Sequence, residues 1–200
     1  RDLSAYNVII LANGSPTEPL SPKALPKLKE WVENGGTLIT TGSAYKLTNK
    51  AKITDFKTLS QGKKKEKGEG NAHIEYQPYH NIAKSKSGIE GVIFNCHLDI
   101  TSPLGYGYEN PNVAIMKNGT TVMDFSQIKG SSPMQYTKQP YLSGCVSLEN
   151  IKRISNAPAS IVSECGKGNV IWFADDLNYR SYWFGGTKIF MNAIYFGQLY

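Results

Sequence analysis

The sequence has no uninterrupted apolar stretch of the roughly 20 residues that a membrane-spanning helix needs, so no membrane span is predicted. It also has no secretory leader, and a strand is expected almost directly after Arg1, as if the chain were cut from a longer protein. Aromatic residues, in contrast, make up 11% of the chain, which argues against a disordered protein. The length of 200 residues suits one domain with room for a long insertion.

The cysteines are few, odd in number and widely spaced, at Cys96, Cys145 and Cys165. This arrangement fits neither a disulfide framework nor pairs of metal ligands. We interpret them as small buried residues, with one disulfide and a spare thiol as the alternative.

The histidines are also few, and none of them stands at a spacing that marks a zinc site with the nearby acids Glu75 and Asp99. They are His73, His80 and His97. A histidine-x-x-glutamate motif is missing, so metallopeptidase chemistry is not expected in this chain. We therefore predict no metal and no cofactor.

Positive charge is modest and concentrated in one segment. The net charge is +6, and Lys63, Lys64, Lys65 and Lys67 supply much of it, whereas arginine is rare. Recognition of phosphates and bases favours arginine, because the guanidinium forms paired hydrogen bonds. A lysine-rich run is typical of a solvated surface loop, so we predict no nucleic-acid partner.

The first forty residues have the pattern of a strand–helix–strand unit. The apolar runs 7–12 and 37–41 indicate two buried strands. Between them, helix 22–33 is expected to begin after Ser21, a favourable N-cap, and to end at the glycine-rich turn 34–36. Strands joined by one such helix are expected to be parallel.

The end of the chain repeats this pattern, with strand 169–174 followed by helix 186–199. Helix 148–154 and strand 159–163 are expected before them. The sequence thus predicts an α/β fold, with a mainly parallel sheet and helices on both faces.

The middle of the chain, from about residue 57 to residue 130, indicates an irregular, β-rich insertion. Its expected elements are a short strand at 73–76, a strand at 91–99, and a hairpin of strands 112–116 and 121–125 that turns at Asn118–Gly119.

Six segments, spread over most of the chain, resemble class I glutamine amidotransferase-like domains. More specifically, they resemble the domain that follows the catalytic domain in some bacterial zinc carboxypeptidases of the carboxypeptidase A superfamily. The segments are 6–11 (YNVIIL), 28–39 (LKEWVENGGTLI), 98–108 (LDITSPLGYGY), 166–176 (GKGNVIWFADD), 178–180 (NYR) and 190–194 (FMNAI).

The resemblance implies a flavodoxin-like fold over a single domain, residues 1–200. It implies as partner an upstream peptidase domain of the same parent chain, or another subunit. The parent protein would then be a metallocarboxypeptidase in the periplasm or secreted.

The resemblance also locates the positions that would carry amidotransferase chemistry. Those enzymes use a cysteine on a strand-to-helix turn, with a histidine and a glutamate two residues apart after a later strand. In this sequence the cysteine position falls on Gly42, next to Ser43, and the histidine and glutamate positions fall on Ala174 and Asp176. No catalytic residue is therefore expected, and the domain itself is not expected to be an enzyme.

Ser43 is the alternative nucleophile, although the simpler interpretation is that it caps a helix beginning near Ala44. Asp175, Asp176 and Arg180 stand after a buried strand, where they would bind a small polar ligand or form an internal ion pair.

Asp99 begins a second segment, 99–108, with the same two interpretations. Its residues Tyr106 and Tyr108 are expected to pack on a neighbouring domain. Three hypotheses follow. The first is a non-catalytic accessory or interaction domain, the second is a ligand-binding module at the carboxyl ends of the strands, and the third is a hydrolase that uses Ser43.

Overall fold

The computed structural model describes residues 2–14, 24–59, 88–124, 130–181 and 183–200. The predicted cap at Ser21, the lysine-rich loop and the strand at 73–76 lie outside these residues. The strands are β1 Val8–Leu11, β2 Thr37–Thr41, β3 Lys57–Thr58, β4 Val92–Leu98, β5 Asn112–Lys117, β6 Met123–Asp124, β7 Met134–Ser143, β8 Ser160–Cys165 and β9 Gly168–Phe173. The helices are α1 Ala24–Glu33, α2 Tyr45–Lys50, α3 Leu148–Ile154 and α4 Phe184–Phe196. Short 3-10 turns occupy Gly42–Ala44, Pro103–Gly105, Tyr179–Ser181 and Gly197–Leu199.

The first sheet has the strand order β1-β2-β9-β8. Strands β1, β2 and β9 are parallel, which confirms the predicted arrangement of the two ends of the chain. Strand β8 is antiparallel to β9, because the two-residue turn Gly166–Lys167 joins them directly. Strand β1 lies at the edge of this sheet, and its residue Ile10 is exposed.

Strands β5, β4 and β7 form a second sheet, which is antiparallel throughout. Two isolated bridges, Ser131 to Val162 and Gln135 to Pro158, connect the segment around β7 to the segment around β8. Antiparallel pairing thus extends the parallel core, and the expectation of a mainly parallel sheet is correct only for β1, β2 and β9. Strand β4 belongs to the main hydrophobic core, with Phe94 and Cys96 fully buried, so this part of the predicted insertion is a regular element.

The predicted hairpin at Asn118–Gly119 is wrong. Strand β5 pairs with β4, and β6 pairs with the distant β3. The backbone N–H of Gly119 donates to the carbonyl of Ile89 at 2.8 Å, and the ammonium of Lys117 donates to the carbonyl of Thr121 at 2.7 Å. The first bond holds the turn against the segment before β4, and the second lies within the turn. The residues after the turn pair with β3 and not with β5.

Helices cover both faces of the first sheet, as predicted. On β2, Leu38 belongs to a cluster with Leu28 and Val32 of α1, whereas Ile39 belongs to a cluster with α4. Adjacent strand residues point to opposite faces, so α1 and α4 lie on opposite sides. Helix α1 ends where its glycine-rich turn allows a positive φ of 116° at Gly35.

A prediction concerns the close approach of α1 to β9. A Cβ atom at Gly168 would lie 2.2 Å from the carbonyl oxygen of Val32 and 2.4 Å from that of Gly36. Both contacts are backbone, so Gly168→Ala must displace the end of α1, and we expect a loss of about 2–3 kcal/mol in the free energy of unfolding in urea. Gly91→Ala is the matched control, because it has open space but a φ of +67°, and should cost only about 1 kcal/mol of backbone strain. If Gly168→Ala lowers the free energy of unfolding by no more than Gly91→Ala does, the close packing of α1 on β9 is contradicted.

Candidate functional site

The carboxyl end of β2 forms a strand–turn–helix elbow. After Thr41 the chain passes through the turn Gly42–Ala44 into α2. Gly42 has a φ of +52°, and a Cβ atom there would lie 2.4 Å from the Cγ and Oδ1 atoms of Asn13. The backbone therefore has the sharp path of a nucleophile elbow, but the space for a nucleophilic side chain is occupied.

Asn13, which follows β1, holds this elbow. Its Oδ1 atom accepts hydrogen bonds from the backbone N–H and the hydroxyl of Ser43, both at 3.0 Å, and its own N–H donates to Oγ1 of Thr41 at 2.8 Å. The prediction that Ser43 caps a helix is wrong, because α2 starts after Ala44 and has no side-chain cap. The hydroxyl of Ser43 instead donates to the amide oxygen of Asn13, and its oxygen accepts from no backbone N–H of α2.

The floor of the elbow is aromatic. Trp172 of β9 is fully buried, and its indole N–H donates to the carbonyl of Gly42 at 2.9 Å. Its ring centroid lies 4.4 Å from that of Tyr45 and 5.0 Å from that of Phe56. The elbow therefore rests on packed rings. Ala174, which the resemblance aligns with the amidotransferase histidine, is buried in the same cluster as Phe56 and Trp172.

Among the residues that the structure describes, the hydroxyl of Ser43 donates to the amide of Asn13 and is hydrogen-bonded to no histidine. His97 is exposed on β4 in the second sheet, and His73 and His80 lie outside those residues. Cys96 is fully buried while His97 is exposed, which confirms that these neighbours point to opposite faces.

Asp175 is not available to a ligand. Its Oδ1 atom lies 2.8 Å from the ammonium nitrogen of Lys117, and both side chains are almost completely buried. Its Oδ2 atom accepts a short hydrogen bond from the hydroxyl of Tyr136. Lys117 also donates to the hydroxyl of Tyr136 at 3.3 Å, so the three side chains form a closed buried network. The sequence singled out Asp175 but not Lys117 or Tyr136, since nothing local marks a lysine at the end of a strand as buried.

Burial raises the pKa of Tyr136 well above its usual value, and the carboxylate of Asp175 adds to the effect. Tyr136 therefore remains a neutral hydrogen-bond donor. Burial is also the largest cause of the raised pKa of the Cys96 thiol, followed by Asp175. Cys96 is thus a protonated core residue rather than a reactive thiolate.

The expected ion pair between the aspartates and Arg180 is not present among the described residues. Arg180 is exposed, with a φ of 51°, and its guanidinium lies over the ring of Tyr179 at 5.2 Å. Asp176 accepts a hydrogen bond of 3.3 Å from the backbone N–H of Asn178. Lys117 takes the role expected of Arg180, because Asp175 points into the core and Arg180 lies on the surface.

Asp99 lies away from this elbow. Its Oδ1 atom accepts from the N–H and hydroxyl of Thr101, at 2.9 and 2.7 Å, and these bonds lower its pKa. The turn that follows is bound to Tyr200, whose carbonyl accepts from Asn169 at the start of β9. The elbow lies at the other end of β9, so the structure does not bring Asp99 to Ser43 and Asp176.

The segment 99–108 packs on α4. Asn192 donates to the carbonyls of Leu104 and Tyr106, at 2.8 and 2.9 Å. The rings of Tyr106 and Phe196 have centroids 5.5 Å apart, and the ammonium of Lys188 lies 4.6 Å from the centroid of Tyr108. The two tyrosines therefore have partners within the domain.

A cavity of about 680 Å³ opens at the amino ends of β1 and β2, between Tyr6, Glu30, Trp31 and Gln198. It contains none of the candidate residues. Most of its lining side chains are exposed, and ligands of parallel sheets bind at the carboxyl ends, so this depression does not support the ligand-binding hypothesis.

Among the described residues, no group of three or more histidine, cysteine, aspartate or glutamate side chains is placed to hold a metal ion. In the same part of the chain, each helix is too short or too polar to cross a membrane.

Solved structures with similar folds include three chains. A chain of the PurLQS structure from Thermotoga maritima has a TM-score of 0.55 and 15% identity, over 96% of this chain and 80% of that one. A protein from Thermoplasma acidophilum, assigned as part of a GMP synthase, has a TM-score of 0.51 and 7% identity, over 96% and 73%. A cytoplasmic protein from Salmonella typhimurium has a TM-score of 0.51 and 16% identity, over 96% and 72%.

No protein-family model matches this chain, and no curated protein does. The first two structures have class I glutamine amidotransferase folds, so this chain has a glutamine amidotransferase-like fold. At these identities the similarity concerns the fold alone.

The buried network generates a second prediction. Lys117→Met leaves the carboxylate of Asp175 buried without its cation, and we expect a loss of about 3–5 kcal/mol in the free energy of unfolding. Asp175→Asn alone should also be strongly destabilising, because it leaves the ammonium of Lys117 unpaired.

The double variant is expected to lose clearly less than the two single losses added together, because neither charge remains. Urea denaturation of the four proteins gives this coupling free energy directly. Additivity to within about 0.5 kcal/mol would show that the two charges do not interact.

Proposed function

We propose that this chain is a non-catalytic accessory domain, with an amidotransferase-like fold, of a zinc carboxypeptidase-like peptidase. It acts by packing on the peptidase domain of its parent chain or on another subunit. The single observation that carries the non-catalytic part is the closed elbow, where Asn13 fills the space of a nucleophile at Gly42 and binds the hydroxyl of Ser43.

Catalysis of the amidotransferase type needs a thiolate and a base in contact, and these groups act as a unit. Here the cysteine position is Gly42, which has no side chain, and the histidine position is Ala174, which has only a methyl group. The remaining acid, Asp176, is bonded to its own loop. The hydroxyl of Ser43, the alternative nucleophile, donates a hydrogen bond to the amide oxygen of Asn13. A neutral amide is not a base at neutral pH, so it does not activate this hydroxyl.

The association with a peptidase is supported by the sequence segments that resemble the carboxypeptidase-linked domains. Two of them, 98–108 and 190–194, form one structural unit here, because Asn192 binds the carbonyls of the other segment. The metal-binding motif of such a peptidase is missing from this chain, so it has to come from a separate domain. The same resemblance supports a periplasmic or secreted location.

The activity prediction follows from the geometry of the elbow. The purified chain should release no ammonia from glutamine and should not cleave C-terminal peptide bonds, with or without added zinc. Gly42→Cys should also be inactive, because its Cβ atom would displace Asn13 and the thiol would have no imidazole to deprotonate it.

Ser43→Ala is the control for the alternative hydrolase, because Ser43 is half-exposed and alanine fits its position. Turnover above background that Ser43→Ala abolishes would overturn the proposal and make the chain a hydrolase.

The association with a peptidase has its own test: the gene upstream of the Arg1 codon should encode a histidine-x-x-glutamate motif. An upstream region without that motif, together with an adjacent gene set without a carboxypeptidase, would remove the peptidase association.

A further inference from the structure

The outer face of α4 is apolar and uncovered within the described residues. Phe184 is 79% exposed and Tyr195 is 63% exposed, and Met191 is also exposed. Together with Lys188, these residues recur at spacings of four, three and four, which is the spacing of a seam between packed helices. We define this seam, with Phe196 and the exposed residues Leu199, Tyr106 and Ile100, as the α4 face.

Contacts join the loop side of the α4 face to the helix. The ring of Tyr106 contacts that of Phe196, with centroids 5.5 Å apart, and a Cβ atom on Gly105 would lie 2.5 Å from Cα of Ile100, which places Ile100 beside the turn before Tyr106. The apolar residues of the face, backbone and tyrosine hydroxyls included, expose roughly 700 Å² in all, if a complete residue contributes about 200 Å². The largest apolar patch of a typical monomer covers about 300–600 Å², so this face exceeds what a monomer usually leaves uncovered.

We propose that the α4 face is a two-fold interface between two copies of this chain, with the α4 helices antiparallel. The inference rests on the proposed function, because it names one partner of a non-catalytic interaction domain. The area of roughly 700 Å² agrees with the approximately 800 Å² per partner of a standard interface.

A two-fold axis through the middle of the seam fixes which residues of the two copies would meet. In an antiparallel pair Met191 lies next to the two-fold axis, and Lys188 lies opposite Tyr195 of the other copy. Phe184 then meets the end of α4 that carries Phe196. A two-fold interface requires this reciprocity, in which each contact occurs twice.

The charge of the face favours a second copy over a charged partner. Lys188 is the one charged side chain in residues 184–200. Its ammonium donates to the carbonyl of Gly107 and lies over the ring of Tyr108, so it already has two partners within the domain. In the antiparallel pair each ammonium lies opposite Tyr195 of the other copy and not opposite the other ammonium.

Sedimentation velocity of the chain should show a monomer–dimer equilibrium between about 1 and 100 µM. Met191→Glu places two carboxylates at the axis and should raise the dissociation constant at least about thirtyfold, as the loss of a central contact does. The matched control is Leu148→Glu, because Leu148 is 77% exposed on α3, outside the face, and should leave the dissociation constant unchanged. Thermal melting confirms that both variants are folded.

A second measurement locates the interface independently of any loss of folding. In a Cys145→Ser background, which removes the exposed native thiol, Met191→Cys should give a cross-linked dimer with a short bis-maleimide. The same reagent should not cross-link Leu148→Cys.

A monomer over the whole concentration range, or a dimer that resists Met191→Glu and does not cross-link through Met191→Cys, overturns the inference. Binding of a peptidase domain by a strictly monomeric chain also overturns it, and leaves the proposed function intact. Turnover of glutamine by an intact dimer would contradict the proposed non-catalytic function but would leave the proposed interface standing.

Discussion

The buried ion pair between Lys117 and Asp175 joins the first sheet, β1-β2-β9-β8, to the second sheet, β5-β4-β7. Lys117 is the last residue of β5, Asp175 follows β9, and Tyr136, the third member of the network, belongs to β7. Burying a charge without its partner costs free energy. The burial of Lys117 and Asp175 is therefore favourable only when β5, β7 and the loop after β9 are all packed together. The network thus couples the antiparallel extension to the parallel core.

Hydrogen bonds also hold the loop after β9 and the elbow after β2 in place. The loop after β9 directs its first acid inward to Lys117, and Trp172 anchors the elbow from below through the carbonyl of Gly42. Asn13 binds it from the side. The backbone path of a nucleophile elbow persists here because hydrogen bonds hold it, and none of them needs a reactive side chain at its apex.

The sequence was most informative where local patterns determine structure. Apolar runs and a glycine-ended helix predicted β1, β2, β9 and α1 closely, because their burial shows in neighbouring residues. Strand β7 was missed, since its sequence MQYTKQPYLS contains a proline and few apolar residues, and only Met134, Tyr136 and Pro140 are buried. The assignment of Gly42 and Ala174 to the amidotransferase cysteine and histidine positions rests on the resemblance, and the structure adds that a Cβ atom at Gly42 would meet Asn13. The roles of Asn13 and Lys117 could not be predicted from the sequence, because their partners lie 30 and 58 residues away in the chain.

Strand β1 has a consequence for solubility. It is the edge of the first sheet within the described residues, and an open edge offers unpaired backbone groups to any extended peptide. Its four residues limit a foreign strand to very few hydrogen bonds, and the chain leaves the sheet at the turn Asn13–Gly14. Shortness therefore protects this edge from templating fibrillar growth, even though Ile10 presents an apolar side chain there.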